Sequence, residues 1–144
     1  MALARVAKVL CYVVRDGHLL VFRHRDYPDA GVQVPAGTLH EGEDPAVGAL
    51  RETEEETGRR GFRVVRALGR FDHEFRSTFA GVESHEVHVR HVYLVEPPGG
   101  RSRRAGASRH PLLRQEGGRR REGLLLSWTS ARRARGPRAS RSRP

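Results

Sequence analysis

Three glutamates lie close together in the chain at a spacing that fits one face of an α-helix. Glu52, Glu55 and Glu56 stand at positions i, i+3 and i+4, which would bring their carboxylates within about a turn of one another. These like charges repel, at a cost of roughly 0.2–0.5 kcal/mol per pair in an isolated helix. A hard cation such as Mg²⁺ would offset the repulsion, because it prefers carboxylate oxygen and retains waters that a phosphate can displace. The alternative is a solvated acidic face, since glutamate is a strong helix former.

The flanking residues predict where this helix begins and ends. Asp44 suits the N-cap, because its carboxylate can accept a hydrogen bond from a free amide of the first turn. Pro45 fits the first helical position, where a missing N–H costs nothing, and Gly58 suits a left-handed stop. The residues predicted to face a sheet, by their three- and four-residue spacing, are Val47, Leu50, Thr53 and Thr57.

A glycine-led loop precedes the acidic helix, and the two together form an extended motif. Its fixed positions are Gly37, Glu43, Arg51, Glu52, Glu55, Glu56 and Gly58. The spacing resembles the Nudix box: Gly, five residues, Glu, seven residues, Arg-Glu, an aliphatic residue, any residue, Glu-Glu, any residue, Gly and an aliphatic residue. All seven fixed positions match, whereas Thr53 and Arg59 replace the two aliphatic residues.

The resemblance implies a hydrolase that works with Mg²⁺ or Mn²⁺ on a phosphoanhydride bond. The metal ligands that it implies are the carboxylates of Glu52, Glu55 and Glu56 and the carbonyl of Gly37. Glu43 and Arg51 would hold the loop and the helix in register. When bound, such a metal neutralises a diphosphate and polarises phosphorus, while the protein supplies placement.

The general base is left open at this point. Glu55 and Glu52 rank nearly equal as the group that orients or deprotonates the attacking water. Acidic residues of later loops are outside candidates, namely Glu74, Glu83 and Glu86.

Strands are predicted on both sides of the helix. Their ranges are residues 6–14, 18–23, 32–34, 62–68 and 87–95, chosen for β-branched and aromatic content between breakers. Asp16-Gly17 supplies a tight hairpin turn, and the polar residues 72–74 predict a loop. Strands around one central helix indicate a mixed α/β sandwich of the α+β type. The resemblance to the Nudix family implies the same, a mixed sheet in an α/β/α sandwich.

The positive charge of the chain lies in its C-terminal part. The net charge is +10, but residues 101–144 hold 14 arginines and two acids, whereas residues 1–100 hold 13 basic and 15 acidic side chains, a net of −2. We therefore predict a Nudix domain over residues 1–128 and a basic, disordered, Arg-rich tail over residues 129–144. A stretch read in an altered frame would explain the abrupt change of composition equally well. Nucleic-acid binding would have to rest on the arginine-rich residues 101–144.

Three weaker features each have a functional and a structural interpretation. Arg23 and Arg25 would point to one side of a strand end and bind a terminal phosphate or a base, or form a solvated edge. Zinc binding by His85, His88 and His91 is disfavoured, because His88 would face away from the other two on a strand. Three phenylalanines in a presumed loop predict core or pocket wall, with a nucleobase platform as the minority alternative: Phe71, Phe75 and Phe79.

Cysteine content and hydropathy suggest the compartment. Cys11 is the only cysteine, so no internal disulfide can form and a reducing compartment is expected. The apolar run at residues 9–14 is too short for a membrane span or a signal peptide. We expect a cytoplasmic protein without a membrane partner.

Three functions remain open on the sequence. The first is a Mg²⁺-dependent pyrophosphohydrolase acting on a small nucleotide-type substrate, a nucleoside diphosphate linked to another moiety. The second is a Nudix-fold binding or regulatory module without turnover. The third is a nucleic-acid binder that works through weak, non-specific contacts of the Arg-rich tail and would show steep salt dependence.

Overall fold

The computed structural model describes residues 2–99 and 124–130 of the chain. Its elements in chain order are β1 (Ala4–Arg15), β2 (His18–His24), a 3₁₀ turn (Pro28–Ala30), β3 (Ala36–Thr38), α1 (Pro45–Thr57), β4 (Arg63–Phe79), β5 (Val82–Glu96) and β6 (Leu124–Ser130). The predicted mixed α/β class is confirmed, and α1 is the single α-helix within the two described ranges.

The sheet is mixed, with β1 at its centre. The strand order is β4-β5-β1-β2-β6, and β3 pairs with β1 beside this path. β1 and β5 run parallel, while the other pairs are antiparallel. β3 places Gly37 opposite Val9 and Thr38 opposite Lys8. The glycine-led loop is thereby attached to the central strand.

The ends of α1 lie where the sequence predicts them. The Asp44 carboxylate accepts hydrogen bonds from the amides of Ala46 and Val47, at 2.9 and 3.2 Å. Gly58 has a φ of 68° and its amide donates to the Glu54 carbonyl at 2.9 Å. Both cap predictions are confirmed.

The inward face of α1 differs from the predicted one. Val47 is 58% exposed, so its predicted contact with the sheet is wrong. Gly48 takes the close approach instead, because a Cβ there would lie 2.2 Å from Leu39 Cδ2. The buried residues of the helix are Gly48, Ala49, Glu52, Thr53, Glu56 and Thr57. Two glutamates of the motif therefore lie on the buried side.

The core lies between α1 and one face of the sheet. Val9, Cys11 and Val13 of β1 are fully buried there, together with Ala49 of the helix. The Cys11 thiol donates to the Ala49 carbonyl at 3.3 Å. Leu126 and Trp128 of β6 pack against the same cluster.

Two predicted boundaries are wrong. The strand expected over residues 32–34 is one isolated bridge between Gln33 and Phe22, and the strand forms after Pro35, whose carbonyl accepts from the Cys11 amide at 2.8 Å. The loop expected over residues 72–74 is part of β4, because that strand forms a long hairpin with β5 and pairs without a break from residue 69 to residue 79. Both faces of β4 are largely exposed, which is why polar residues fit a strand there.

The C-terminal region falls mostly outside the described residues. β6 was not predicted; it pairs with β2 over seven residues. The predictions of a boundary after residue 128 and of a disordered tail over 129–144 stay predictions, since residues 100–123 and 131–144 are outside the described ranges. No helix in the described part of the chain is long and apolar enough to cross a membrane.

Candidate active site

Two of the three motif glutamates are buried against the glycine-led loop. The Glu52 side chain is 4% exposed, and Glu56 accepts a hydrogen bond from the Ala36 amide at 3.2 Å. A Cβ on Gly37 would lie 1.9 Å from Glu52 Cδ. Only glycine leaves room for this carboxylate, so β3 and α1 meet at Gly37 and Glu52.

Arg51 joins the loop to the helix through Glu43. Arg51 Nε and Nη2 contact the two Glu43 carboxylate oxygens at 2.8 and 2.9 Å, which is a bidentate pair. Nη2 also donates to the Thr38 carbonyl at 3.0 Å. The Glu43 carboxylate accepts from the His40 amide at 2.9 Å as well. These contacts hold both ends of the loop on one guanidinium.

The same guanidinium lies against the acidic face of α1. Arg51 Nη1 is 2.8 Å from a Glu52 oxygen and 3.5 Å from a Glu55 oxygen. The Glu55 side chain is 44% exposed, unlike that of Glu52. The three carboxylates therefore divide into two buried groups and one that reaches solvent.

The Glu43–Arg51 pair alters the titration of both partners. The hydrogen bond from Arg51, followed by that from the His40 amide, lowers the pKa of Glu43 to about 2. The hydrogen bond to Glu43 raises the pKa of Arg51 above its ordinary value. Both side chains are therefore charged near neutral pH, and their ion pair can hold the loop against the helix.

The donor groups suit a hard divalent cation in kind. Glu52, Glu55 and Glu56 supply carboxylate oxygens, and the lack of a side chain on Gly37 lets the Glu52 carboxylate lie against the loop backbone. Oxygen ligands of this sort are the ones Mg²⁺ takes. In the described residues, however, no group of three or more His, Cys, Asp or Glu is gathered in an arrangement that holds a metal. Arg51 contacts two of the carboxylates instead. The donor atoms are therefore of the right chemical type for a metal, but the side chains would have to rearrange to bind one.

Other predicted site residues lie elsewhere. Arg25 pairs with the adjacent Asp26 at 3.3 Å and is exposed, as is Arg23. Glu74, an outside candidate for the base, accepts hydrogen bonds from His85 and Arg76, which lower its pKa. Glu83 is exposed near the tip of the β4–β5 hairpin. None of these four predicted groups contacts the acidic face in the described part of the structure.

The three histidines are separated as the strand periodicity predicts. His88 stacks on Phe75 with ring centroids 4.5 Å apart, and Glu86 accepts from its Nε2 at 2.7 Å. His85 contacts Glu74 on the hairpin. Phe75 and His88 both line one cavity, and the loop that the sequence predicts around Phe75 is part of β4.

A cavity of about 630 Å³ lies on the opposite side of Gly37 from the helix. Ala36 and Gly37 contribute to its wall together with Phe75 and three basic residues of β1 and β5: Lys8, His88 and Arg90. Lys8 and Arg90 were not predicted as site residues from the sequence. Lys8 is the only charged residue between Val6 and Val14, which was an available signal, whereas Arg90 lies among other polar residues of β5 and is placed beside Lys8 only by strand pairing.

Comparison with known proteins gives the family. A family model described as the NUDIX domain matches residues 4–110, which is more than half of the chain. The chain belongs to the NUDIX domain family. The resemblance predicted from the box is confirmed, and the Gly37–Glu52 contact is the local structure of that box in this member.

Individual relatives are more distant. An RNA pyrophosphohydrolase of Gluconobacter oxydans (strain 621H) is 45% identical to this NUDIX chain over 51 residues, which are 35% of the chain and 30% of that protein. The match thus spans less than a third of the relative's length.

Solved structures share the fold at low identity. A NUDIX hydrolase from Nitrosomonas europaea has a TM-score of 0.55 at 20% identity, covering 88% of this chain and 72% of its own. A MutT protein from Methanosarcina mazei Go1 has a TM-score of 0.59 at 16% identity, covering 90% and 80%. A UDP-X diphosphatase also reaches 0.59, at 18% identity over 90% of this chain and 53% of its own. These likenesses concern the fold.

Proposed function

We propose that this chain is a divalent-metal-dependent pyrophosphohydrolase that cleaves the phosphoanhydride bond of a nucleoside diphosphate linked to another moiety. The observation that carries the proposal is the burial of Glu52 and Glu56 directly against the Ala36–Gly37 backbone. Buried carboxylates are costly unless they are paired or bind a cation, and here Glu52 packs against a glycine that carries no side chain.

Each residue of the site has a proposed part. Glu52, Glu56 and the Gly37 carbonyl would hold Mg²⁺ or Mn²⁺, together with Glu55, and the ion would supply charge neutralisation and polarisation of phosphorus. The half-exposed Glu55 is the carboxylate best placed to take a proton from water, because Glu52 is closed off from solvent. Arg51 orients Glu52 and Glu55, while Glu43 fixes Arg51.

Membership of the NUDIX domain family supports hydrolysis of this bond type. The relative from Gluconobacter oxydans is an RNA pyrophosphohydrolase, so an RNA with a 5′-triphosphate belongs in the substrate panel. Nucleotide sugars, dinucleoside polyphosphates and nucleoside triphosphates complete it. The NUDIX domain match ends at residue 110, so the assay uses the full chain.

The test is release of phosphorylated products with Mg²⁺ or Mn²⁺, measured for the wild type and two matched variants. Glu56→Gln should lower kcat by more than the roughly 10–100-fold that loss of an outer-shell partner costs. Glu54→Gln is the control, because Glu54 lies on the same helix but accepts a hydrogen bond from the Gly61 amide, which glutamine can also do. Equal activity of all three proteins would overturn the metal assignment.

The same assay separates the two rival functions. A binding module would retain metal-dependent affinity for one panel member with no product from any. A nucleic-acid binder would lose its RNA affinity on removal of residues 101–144 and show a steep salt dependence, whereas hydrolysis should persist on removal of residues 131–144 because β6 ends at Ser130.

A further inference from the structure

The cavity beside Gly37 lies on the sheet face turned away from α1. In the parallel pairing of β1 and β5, Val9, Cys11 and Val13 face the helix, so the alternate residue Lys8 faces the cavity, and Arg90 is its direct partner on β5. Paired residues on neighbouring strands share a face. The two cations therefore lie side by side on the cavity wall.

Lys8 borders both the cavity and the acidic site. Its Nζ donates to Thr38 Oγ1 at 2.7 Å, and Thr38 follows Gly37, the residue against which the Glu52 carboxylate packs. Arg51 contacts the Thr38 carbonyl from the other side at 3.0 Å. A group held by the Lys8 ammonium is thus one residue away from the loop that covers Glu52.

Neither cation has a carboxylate partner among the described residues. No ion pair of Lys8 or Arg90 is found there; Arg90 instead lies 5.9 Å from the centre of the Phe71 ring. Glu86, an acid on the same face of β5, accepts from His88. No acidic side chain contributes to the described part of the cavity wall. Partly buried charges are ordinarily paired, so this wall is complementary to an anion.

We infer that Lys8 and Arg90 form a subsite for a phosphate group beyond the two that flank the scissile bond. The inference rests on the proposed function and narrows its substrate class to nucleotides with at least three phosphates, in place of a nucleoside diphosphate joined to a neutral sugar. Lysine supplies a point charge and arginine a planar fork, and both are suited to phosphate oxygens. The cavity is of the size that small ligands occupy.

The third phosphate has two chemical sources. It is either the terminal phosphate of a 5′-triphosphate or a phosphate on the 3′ side of the nucleoside, as in an RNA chain. Both place an additional dianionic or monoanionic phosphate next to the scissile diphosphate. The probes below distinguish them.

The first experiment needs neither a metal nor turnover. Inorganic phosphate is titrated into the ¹⁵N-labelled full chain in the presence of EDTA, and amide shifts are followed. Saturable shifts are expected around Lys8 and Arg90. In Lys8→Met and in Arg90→Gln the dissociation constant should rise about tenfold, as for loss of one charge-assisted hydrogen bond. Lys8→Arg should retain binding, because it keeps the charge.

Two arginines outside the cavity are matched controls. Arg5 lies three residues before Lys8 on β1 and pairs with Asp72 at the surface, at 2.6 Å. Arg70 is exposed on β4, opposite His91. Arg5→Met and Arg70→Gln should leave phosphate binding within about twofold of the wild type, since exposed charges contribute little. If phosphate binding weakens equally in the control variants and the cavity variants, the effect is one of net charge and the subsite is overturned.

The second experiment compares the binding of four adenine nucleotides, again in the presence of EDTA so that no turnover occurs. They are the β,γ-methylene 5′-triphosphate, the 5′-diphosphate, the 5′-diphosphate with a 3′-phosphate, and the 5′-diphosphate linked to glucose. Lys8→Met should weaken binding of the first or the third about tenfold and leave the second and fourth unchanged. Which of the two responds identifies the source of the phosphate.

The two proposals fail in different ways. If phosphate shifts no amide near Lys8 and Arg90 in the wild-type protein, the subsite is overturned, whether or not any nucleotide is hydrolysed. If Lys8→Met weakens the binding of all four nucleotides equally, the inference that the subsite selects nucleotides with a third phosphate is overturned. If phosphate binds as expected but no panel member is cleaved, the pyrophosphohydrolase assignment fails and the anion site remains.

Discussion

Gly37 and Glu52 occupy each other's space so closely that any side chain on Gly37 would meet the Glu52 carboxylate, 1.9 Å from Cδ to the position of a Cβ. The atoms that would have to move are at the end of a flexible side chain, not in the backbone. A methyl group at residue 37 should therefore displace the functional group and leave the fold in place.

Gly37→Ala should lower kcat by about 10–100-fold, the range for misplacing a metal-site carboxylate, with a much smaller effect on unfolding by urea. The control is Gly69→Ala on β4, where a Cβ would meet nothing within 4 Å. Hydrolysis and urea midpoints of the two variants decide the matter. An unaffected kcat in Gly37→Ala would show that Glu52 is not needed where the structure places it.

The Glu43–Arg51 pair predicts a pH dependence of stability. Because the pKa of Glu43 falls to about 2 in the folded chain, below the usual value of about 4.3, its contribution is fully present above the unfolded value and is lost as the pH falls through the folded one. Glu43→Gln should lower stability at neutral pH and flatten the decline between these two pH values. Urea unfolding at stepped pH measures both effects.

Glu41→Gln is the matched control for that series, because Glu41 is exposed in the same loop and forms no described ion pair. Its unfolding curve should follow that of the wild type at every pH. If the free energies of unfolding of Glu43→Gln and of the wild type decline in parallel below pH 5, Arg51 and Glu43 do not form this ion pair in solution.

The corrected helix face predicts a contrast between two valines. Val13 is fully buried and Val47 is 58% exposed. Val13→Ala should cost roughly 2–3 kcal/mol, from two lost methyl groups and the cavity they leave, whereas Val47→Ala should stay within about 0.5 kcal/mol. Denaturant unfolding of both variants checks the assignment. Similar losses of stability in both variants would mean that Val47 lies on the core face of α1, as its spacing suggests.

Cys11 should react slowly with thiol reagents in the native protein. Burial between β1 and α1 raises the pKa of its thiol to about 11, and only the thiolate is nucleophilic. At pH 8 the native chain should be alkylated at least about a hundredfold more slowly than the urea-unfolded chain, since two pKa units change the thiolate fraction by that factor. Equal rates would mean that the core opens readily around Cys11.

Local rules predicted the motif, the helix ends and three of the strands. The N-cap at Asp44 and the left-handed Gly58 depend on neighbouring residues only, and so does the hairpin at Asp16-Gly17, where both residues have positive φ. The same rules failed at β4. Its polar residues resemble a loop, and they form a strand because β5 supplies backbone partners along its whole length.

The spacing of the box also did not predict which of the three carboxylates is buried and which is exposed. All three glutamates lie within one turn of a helix, and nothing in their spacing separates Glu55 from the other two. Their burial depends on where β3 crosses the helix, which is decided by the pairing of β3 with β1, 26 residues or more away in the chain. The cavity beside Gly37 depends on a still longer-range contact, the parallel pairing of β1 with β5.

The amino-acid sequence by itself determined which functional groups the site contains: an acidic helix with defined ends, a glycine-led loop before it and an arginine able to join them. Only the tertiary structure decided that Glu52 and Glu56 are closed in while Glu55 meets solvent, and that Lys8 and Arg90 stand together behind Gly37. The reason is physical. Helix caps and turns are satisfied by hydrogen bonds between near neighbours, whereas burial and pocket walls come from strands that meet across the sheet.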